Sequence, residues 1–109
     1  MLRKSIQIAA MTAMASASLM ASTYSMAAGN AVAGSTKVAA CAACHGAEGK
    51  SVIGIYPNLA GQWAPYLESS MKAYKNGERK GGMAEIMVPL SMGLSDQDIA
   101  DIAAFYSSK

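Results

Sequence analysis

Residues 41–45 read Cys-Ala-Ala-Cys-His, and the spacing of the side chains around them predicts the local structure. Apolar or chemically active side chains recur here at the spacing i, i+3, i+4 and i+7, at Val38, Cys41, Ala42 and His45. This spacing predicts one face of an α-helix, with Ser35 or Thr36 as the N-cap and an end near Cys44. Both thiols and the imidazole would then point toward the interior of the domain.

A long loop is predicted directly after this helix. Residues 46–61 contain four glycines and Pro57, which are residues typical of turns. A loop of this length without secondary structure of its own is unusual in a small domain and is normally functional. We therefore expect residues 46–61 to wrap around a bound group.

The spacing Cys-x-x-Cys-His is the attachment sequence of c-type haem. Two thiols on adjacent helical turns can bond to the two vinyl groups of a porphyrin, and the imidazole that follows can bind its iron. A structural zinc site would need four nitrogen or sulfur ligands, and the chain has two Cys and one His. A thioredoxin-like site would need a βαβ pattern, which is absent. We therefore predict one covalently attached haem c per chain.

The second axial ligand of such a haem decides its function, and the residues leave it open. His45 is the one histidine, so Met, Lys or an open position remains. Four methionines are candidates outside the N-terminal segment: Met71, Met83, Met87 and Met92. The first lies on the apolar stripe of a predicted helix, and the other three lie in a glycine-rich loop. A Met ligand indicates an electron carrier, whereas an open iron indicates a haem sensor or a peroxidase-like enzyme.

The N-terminal segment is typical of a secretory signal peptide. Arg3 and Lys4 precede an apolar run over residues 6–20, and Ser25-Met26-Ala27 is a cleavage site of the small-x-small type. We therefore predict a signal peptide over residues 1–27 and export of the mature chain. Membrane association is expected only if this segment is retained or if a membrane complex is the partner.

Composition narrows the classes of function that remain. After residues 1–27 are removed, seven Lys or Arg and seven Asp or Glu are left, so the mature chain is neutral and nucleic-acid binding is not expected. The length supports one small domain. Small polar residues predict a flexible leader over residues 28–35, which leaves residues 36–109 as the folded domain.

Two further helices are predicted C-terminal to the first loop. Apolar side chains recur at helical spacing at Trp63, Leu67, Met71 and Tyr74, followed by the stop signal Asn76-Gly77. Residues 77–94 form a second loop rich in Gly and Met. A last helix follows Ser95, which can form a capping box with Asp98. Its predicted buried stripe is Ile99, Ile102, Ala103 and Tyr106. The fold class is therefore all-α, with three main helices and two long loops around one haem.

At this point the chain resembles the small bacterial class I cytochromes c, of the c4 and c-553 type. The resemblance runs from Val38 to Tyr106 and rests on the segments CAACHGAEGKS, YPNLAGQ, YLESSMKAYKNGER and IMVPLSMGLSDQDIADIAAFY. It departs from the c4 pattern in one respect. Proteins of that type often carry two such domains, whereas this chain has a single Cys-x-x-Cys-His, which implies a monohaem protein.

The resemblance implies a role for each site residue. Cys41 and Cys44 would form the thioether links, and His45 would be the proximal ligand of the iron. The carbonyl of Pro57 would accept a hydrogen bond from the N–H at Nδ1 of His45. Met87 stands where the family has its methionine ligand relative to the cap at Leu94-Ser95-Asp96. The terminal helices would cross beside the haem, near Phe105 and Tyr106.

The function implied is that of a periplasmic one-electron carrier rather than an enzyme. Its partners would be redox proteins, a donor and an acceptor, that dock transiently. An alternative is a haem-bearing subunit of a periplasmic dehydrogenase, for example with a sulfide-oxidising flavoprotein. A cluster of cations either steers an acidic partner or is an ordinary solvated face, and it comprises Lys72, Lys75, Arg79 and Lys80.

Overall fold

The structure is a computed structural model that describes residues 28–109 together with Ser18. The predicted signal peptide over residues 1–27 otherwise lies outside the described residues. Every regular element within residues 28–109 is helical, which confirms the predicted all-α class of fold. The elements are α1 (Ala31–Ser35), α2 (Ala39–His45), α3 (Ala64–Lys75), a 3-10 helix (Gly82–Ile86), α4 (Met87–Met92) and α5 (Asp96–Ser107).

Helix α5 begins where its capping signal predicts. The Ser95 hydroxyl accepts a hydrogen bond from the Asp98 amide at 3.0 Å, and the Asp98 carboxylate accepts one from the Ser95 amide at 2.9 Å. These two bonds satisfy amide groups that have no partner within the helix. They also place two acidic residues in the first turn, where the helix dipole favours negative charge.

The hydrophobic core lies on the buried face of α5. The four residues of its predicted stripe are all buried: Ile99, Ile102, Ala103 and Tyr106. Leu67 of α3 and Val38 pack into the same cluster. Phe105, which the helical spacing places with the acidic residues, is also buried, at 8% exposure. Burial on two faces indicates that α5 is covered from more than one side.

Residues 28–35 differ from the predicted flexible leader, because they include a helix that packs on α5. Asn30 caps α1 through its side chain, which accepts from the Ala33 amide at 2.9 Å. Gly34 is buried, and a Cβ added there would lie 2.1 Å from the Asp101 carbonyl oxygen. The small residues of this segment therefore allow two helices to approach closely, and they also cover Phe105.

Helix α2 contains the Cys-x-x-Cys-His stretch but starts later than predicted. Its N-cap is Val38, without a side-chain cap bond. The two predicted caps are engaged elsewhere: the Ser35 hydroxyl donates to the Val32 carbonyl, and the Thr36 hydroxyl donates to the Ala33 carbonyl. Both hydroxyls therefore serve the end of α1 rather than the start of α2.

Helix α3 agrees with the prediction, whereas the segment that follows it differs. Helix α3 spans Ala64–Lys75, with Pro65 in its first turn and Asn76 as its C-cap. The segment 77–94 was predicted as a loop, and it contains the 3-10 helix and α4. Helix α4 packs on α3. Among the helices of residues 28–109, none has the length and apolar character needed to cross a membrane.

Candidate haem site

The end of α2 presents the three residues of the motif to one cavity. Cys41, Cys44 and His45 all line it. His45 is buried, at 7% exposure. The two thiols are half-buried and are not joined in a disulfide. The helical turn between them therefore places both sulfur atoms and one imidazole at the same wall, as the spacing predicts.

A hydrogen bond determines which nitrogen of His45 can bind a metal. Nδ1 of His45 lies 2.7 Å from the carbonyl oxygen of Pro57. A carbonyl oxygen only accepts hydrogen bonds, so Nδ1 must carry the proton. In the neutral tautomer with the proton on Nδ1, the lone pair of Nε2 is available to a metal. Such a bond to the far ring nitrogen also orients a histidine ligand and raises its basicity.

The loop that carries Pro57 is held by its own hydrogen bonds. The amides of Leu59 and Ala60 both donate to the carbonyl of Gly49, at 2.7 and 3.0 Å. Gly49 has a φ of +72°, and a Cβ there would lie 2.8 Å from the ring of Tyr106. The Ser51 hydroxyl donates to the Cys44 carbonyl at 3.0 Å. These contacts tie the loop to the end of α2 and to α5, and so place Pro57 beside His45.

The cavity behind His45 has a volume of about 350 Å³. Its walls come from α2, the loop 46–61, α3, the segment 77–94 and α5. Most lining side chains are apolar or aromatic, including Leu59, Leu67, Leu94, Ile102 and Tyr106. A pocket of this size and character suits a large flat apolar group that is held by a few polar contacts.

The structure brings three of the four candidate methionines to the cavity. Met71, Met83 and Met87 line it. Met92 does not line it and is 63% exposed. Met71 also packs against the hydrophobic core from α3, and Met83 is 51% exposed. Met87 is half-buried and is the first residue of α4.

Two groups in the cavity are in an environment that disfavours ionisation. Burial raises the pKa of the Cys41 thiol. Burial, with the nearby Cys41 as a smaller cause, raises the pKa of Tyr106 to about 12. The Tyr106 hydroxyl is buried and has no hydrogen-bond partner within the described residues. A buried hydroxyl without a partner is costly, which fits a cavity that holds a bound group.

Two residues that line the cavity, Ser91 and Lys37, were not identified from the sequence. Ser91 is fully buried, and its hydroxyl donates to the Met87 carbonyl at 2.8 Å. Lys37 lines the cavity and forms ion pairs with Asp98 and Asp101, both at 2.8 Å. The i to i+4 spacing of Ser91 from Met87 is visible in the sequence, but nothing local indicates burial.

The four residues of the predicted cation cluster differ in their contacts. The ammonium of Lys75 donates to the Leu94 carbonyl. The guanidinium of Arg79 lies 4.8 Å from the centre of the Tyr74 ring, and both residues line the cavity. Lys72 and Lys80 form no side-chain hydrogen bond or ion pair within residues 28–109. Two of the four cations therefore have structural contacts.

Comparison with known proteins defines the class to which this fold and site correspond. The family model described as cytochrome c matches residues 27–108. The chain therefore belongs to the cytochrome c family, whose members carry haem and transport electrons. Within residues 28–109, no group of three or more His, Cys, Asp or Glu is arranged to hold a metal ion by itself. The two thiols, the imidazole and the apolar wall of the cavity fit a haem.

Individual relatives show which cytochromes c the chain is similar to. The chain is 61% identical over 82 residues to cytochrome c-554(548) of Halomonas halodenitrificans, which covers 75% of this chain and 99% of that protein. It is 49% identical over 83 residues to cytochrome c4 of Pseudomonas aeruginosa, across 76% of this chain and 40% of that one. The crystal structure of reduced recombinant cytochrome c4 from Pseudomonas stutzeri superimposes with a TM-score of 0.67 at 43% identity. It covers 75% of this chain and 46% of that chain. The chain therefore spans about half the length of its c4 relatives or less.

Proposed function

We propose that the protein is a periplasmic one-electron carrier with one haem c per chain and His/Met axial ligation. Cys41 and Cys44 would hold the haem through thioether bonds, and His45 and Met87 would bind its iron. The observation that carries the proposal is the hydrogen bond from His45 to the Pro57 carbonyl. It leaves Nε2 free in a cavity that is also lined by both thiols and by Met87.

Haem supplies a centre that gains or loses one electron with little change in geometry. The residues of this chain determine its environment. A thioether opposite a histidine favours the reduced iron and raises the reduction potential. The apolar wall excludes water, and Pro57 keeps the proton on Nδ1 of His45. Arg79, which has no ion-pair partner within the described residues, offers positive charge to the carboxylates of a haem.

The position of Met87 distinguishes it from the other candidates. Met92 does not line the cavity and is 63% exposed, and Met71 packs against the hydrophobic core from α3. Met83 and Met87 both come from the segment 77–94, but Met87 is less exposed and begins a helix that packs on α3. A ligand on a packed helix is held more firmly than one on an exposed turn, which favours Met87.

Export and transient partners complete the proposal. The basic, apolar and small-residue pattern over residues 1–27 supports export, with Ala28 as the first residue of the mature chain. A donor and an acceptor would dock in turn beside the haem through a small interface. Co-purification of a flavoprotein would instead identify the alternative, a haem-bearing subunit of a dehydrogenase.

The test compares Met87→Leu with the matched control Met92→Leu, each matured in the periplasm of a host that attaches haem. Wild type is expected to show covalent haem, the weak sulfur-to-iron band of the ferric form and an N-terminus at Ala28. Met87→Leu is expected to lose this band completely and to bind carbon monoxide when reduced. Met92→Leu is expected to keep the wild-type spectrum.

Other spectra would change the conclusion. Loss of the band in Met83→Leu but not in Met87→Leu would move the ligand to residue 83. A wild-type protein that is high-spin and binds carbon monoxide would have an open iron. The function would then be that of a haem sensor or enzyme, and the electron-carrier proposal would be rejected.

A further inference from the structure

The segment that carries Met87 meets the rest of the fold mainly through α4, which packs on α3. It leaves α3 through a turn, in which the Glu78 and Arg79 amides both donate to the Ala73 carbonyl. Gly81 and Gly82 follow with φ values of +92° and +57° and with open space around both. The 3-10 helix next to them makes its packing contacts with α4. The position of Met87 therefore depends on what holds α4.

A path of three hydrogen bonds runs from α3 to the backbone of Met87. The Lys75 ammonium, at the last residue of α3, donates to the Leu94 carbonyl. The Leu94 amide donates to the Ser91 carbonyl at 3.2 Å. The Ser91 hydroxyl, which is fully buried, donates to the Met87 carbonyl at 2.8 Å. The first bond joins α3 to the residue two positions after α4, and the other two continue from there into α4.

Lys75 has a particular place in this path. Of the side-chain hydrogen bonds within residues 28–109, the bond from Lys75 is the one that reaches residues 80–94 from an earlier element. Its amine is charged, and a hydrogen bond from a charged donor is stronger than one between neutral groups. Its charge also lies at the C-terminal end of α3, where the helix dipole favours a cation.

We infer that Lys75 is a positioning residue that holds α4, and with it the Met87 thioether, at the haem. The inference rests on the proposed function, because it concerns the ligand named there. The Lys75 ammonium donates to the Leu94 carbonyl, so Lys75 acts within the fold and not as a charge that binds a partner. Removal of the bond loosens the segment from α3 and favours any state in which Met87 has left the iron.

Displacement of the methionine by added imidazole measures this effect. When imidazole replaces the Met87 thioether, the segment that carries Met87 moves. A bond that holds this segment therefore opposes imidazole binding. Lys75→Met keeps the aliphatic stem and removes the donor. We expect it to tighten the apparent binding of imidazole to the ferric protein roughly tenfold, as for one hydrogen bond from a charged group. The sulfur-to-iron band reports the displacement during the titration.

Two controls separate positioning from loss of charge or stability. Lys72→Met removes the same charge from the same helix, and Lys72 makes no side-chain hydrogen bond within the described residues. Its imidazole affinity is expected to stay within about twofold of wild type. Lys75→Arg keeps a charged donor and is expected to restore most of the wild-type affinity. Thermal unfolding by circular dichroism shows whether the whole fold has weakened.

The outcomes are distinct for the inference and for the proposed function. Equal imidazole affinity in Lys75→Met and wild type, or an equal rise in Lys72→Met, overturns the inference while the methionine band still supports Met ligation. Absence of that band from wild type overturns the proposed function itself. If Lys75→Met does not mature, Lys75→Gln, which is shorter and uncharged, removes the same bond. A rise in its imidazole affinity supports the inference, and an unchanged affinity overturns it.

Discussion

At the scale of single residues, Tyr106 belongs both to the hydrophobic core and to the wall of the haem cavity. It is 1% exposed, lines the cavity and meets Phe105 edge to face, with ring centres 5.1 Å apart. Its backbone carbonyl also accepts from the Gly61 amide at 2.9 Å, so the end of the first loop is fastened to α5 at this residue. A change at Tyr106 therefore affects the core and the haem cavity together.

Tyr106→Ala is expected to lower the free energy of unfolding by about 3–5 kcal/mol, the usual cost of deleting a large buried aromatic side chain. No hydrogen bond of the hydroxyl within residues 28–109 is lost, so the cost comes from packing. The control is Trp63→Ala, because Trp63 is 73% exposed. It should cost less than about 1 kcal/mol in the same denaturant titration. Equal losses in both variants would contradict the assignment of Tyr106 to the core.

At the scale of elements, the contact between α1 and α5 depends on two glycines. A Cβ at Gly29 would lie 2.0 Å from the Ala100 carbonyl oxygen, and one at Gly34 would lie 2.1 Å from that of Asp101. The backbones of the two segments therefore touch directly. Such a contact has no apolar periodicity in the sequence, and this is why residues 28–35 read as a leader rather than as part of the fold.

Gly34→Ala is expected to destabilise the protein by about 2 kcal/mol, because the added methyl group overlaps a backbone atom that cannot move freely. The same substitution within an exposed helix would stabilise it by roughly 1 kcal/mol. Gly54→Ala is the matched control, since nothing lies within 4 Å of its added Cβ. Its free energy of unfolding should change by less than about 0.5 kcal/mol. A neutral Gly34→Ala would mean that α1 is not packed on α5 as described.

At the scale of the whole molecule, one ion cluster joins the N-terminal and C-terminal parts of the described chain. Asp101 is 3% exposed and accepts hydrogen bonds from Lys37, from the Asn30 amide and from Gln97. The Lys37 ammonium beside it lowers the pKa of Asp101 to about 2, and it is also the main cause that lowers the pKa of Asp98 to about 2. Both carboxyl groups therefore favour the folded state when ionised.

The cluster predicts how stability depends on pH. A carboxyl with a lowered pKa in the folded state contributes stability above its ordinary value of 3.8, and this contribution is lost as the pH falls toward 2. Asp101→Asn is therefore expected to be less stable than wild type at pH 5 and to lose less stability between pH 5 and pH 2. Glu78→Gln is the control, because Glu78 is exposed and forms no ion pair within residues 28–109. Its unfolding profile should run parallel to that of wild type, and a parallel profile for Asp101→Asn would contradict the assigned role.

The sequence alone determined the features that depend on local chemistry. The haem-binding class follows from two thiols and an imidazole within one helical turn. The start of α5 follows from Ser95 and Asp98, whose hydrogen bonds join residues three apart. The end of α3 follows from Asn76-Gly77 in the same way. Each of these signals is complete within a few residues, so no tertiary contact is needed to interpret it.

The tertiary structure decided what depends on contacts between distant residues. Helix α1 is stable because Gly34 lies against Asp101, which is 67 residues away in the sequence. Met71, Met83 and Met87 line the cavity, whereas Met92 does not. The spacing of methionines along the sequence does not encode this difference. In the sequence, Lys75 looks like an ordinary surface charge. Only the fold places the Leu94 carbonyl within reach of its ammonium group. Burial and pairing of this kind arise only when separate elements pack together, because the energy that selects them is not contained in any one segment.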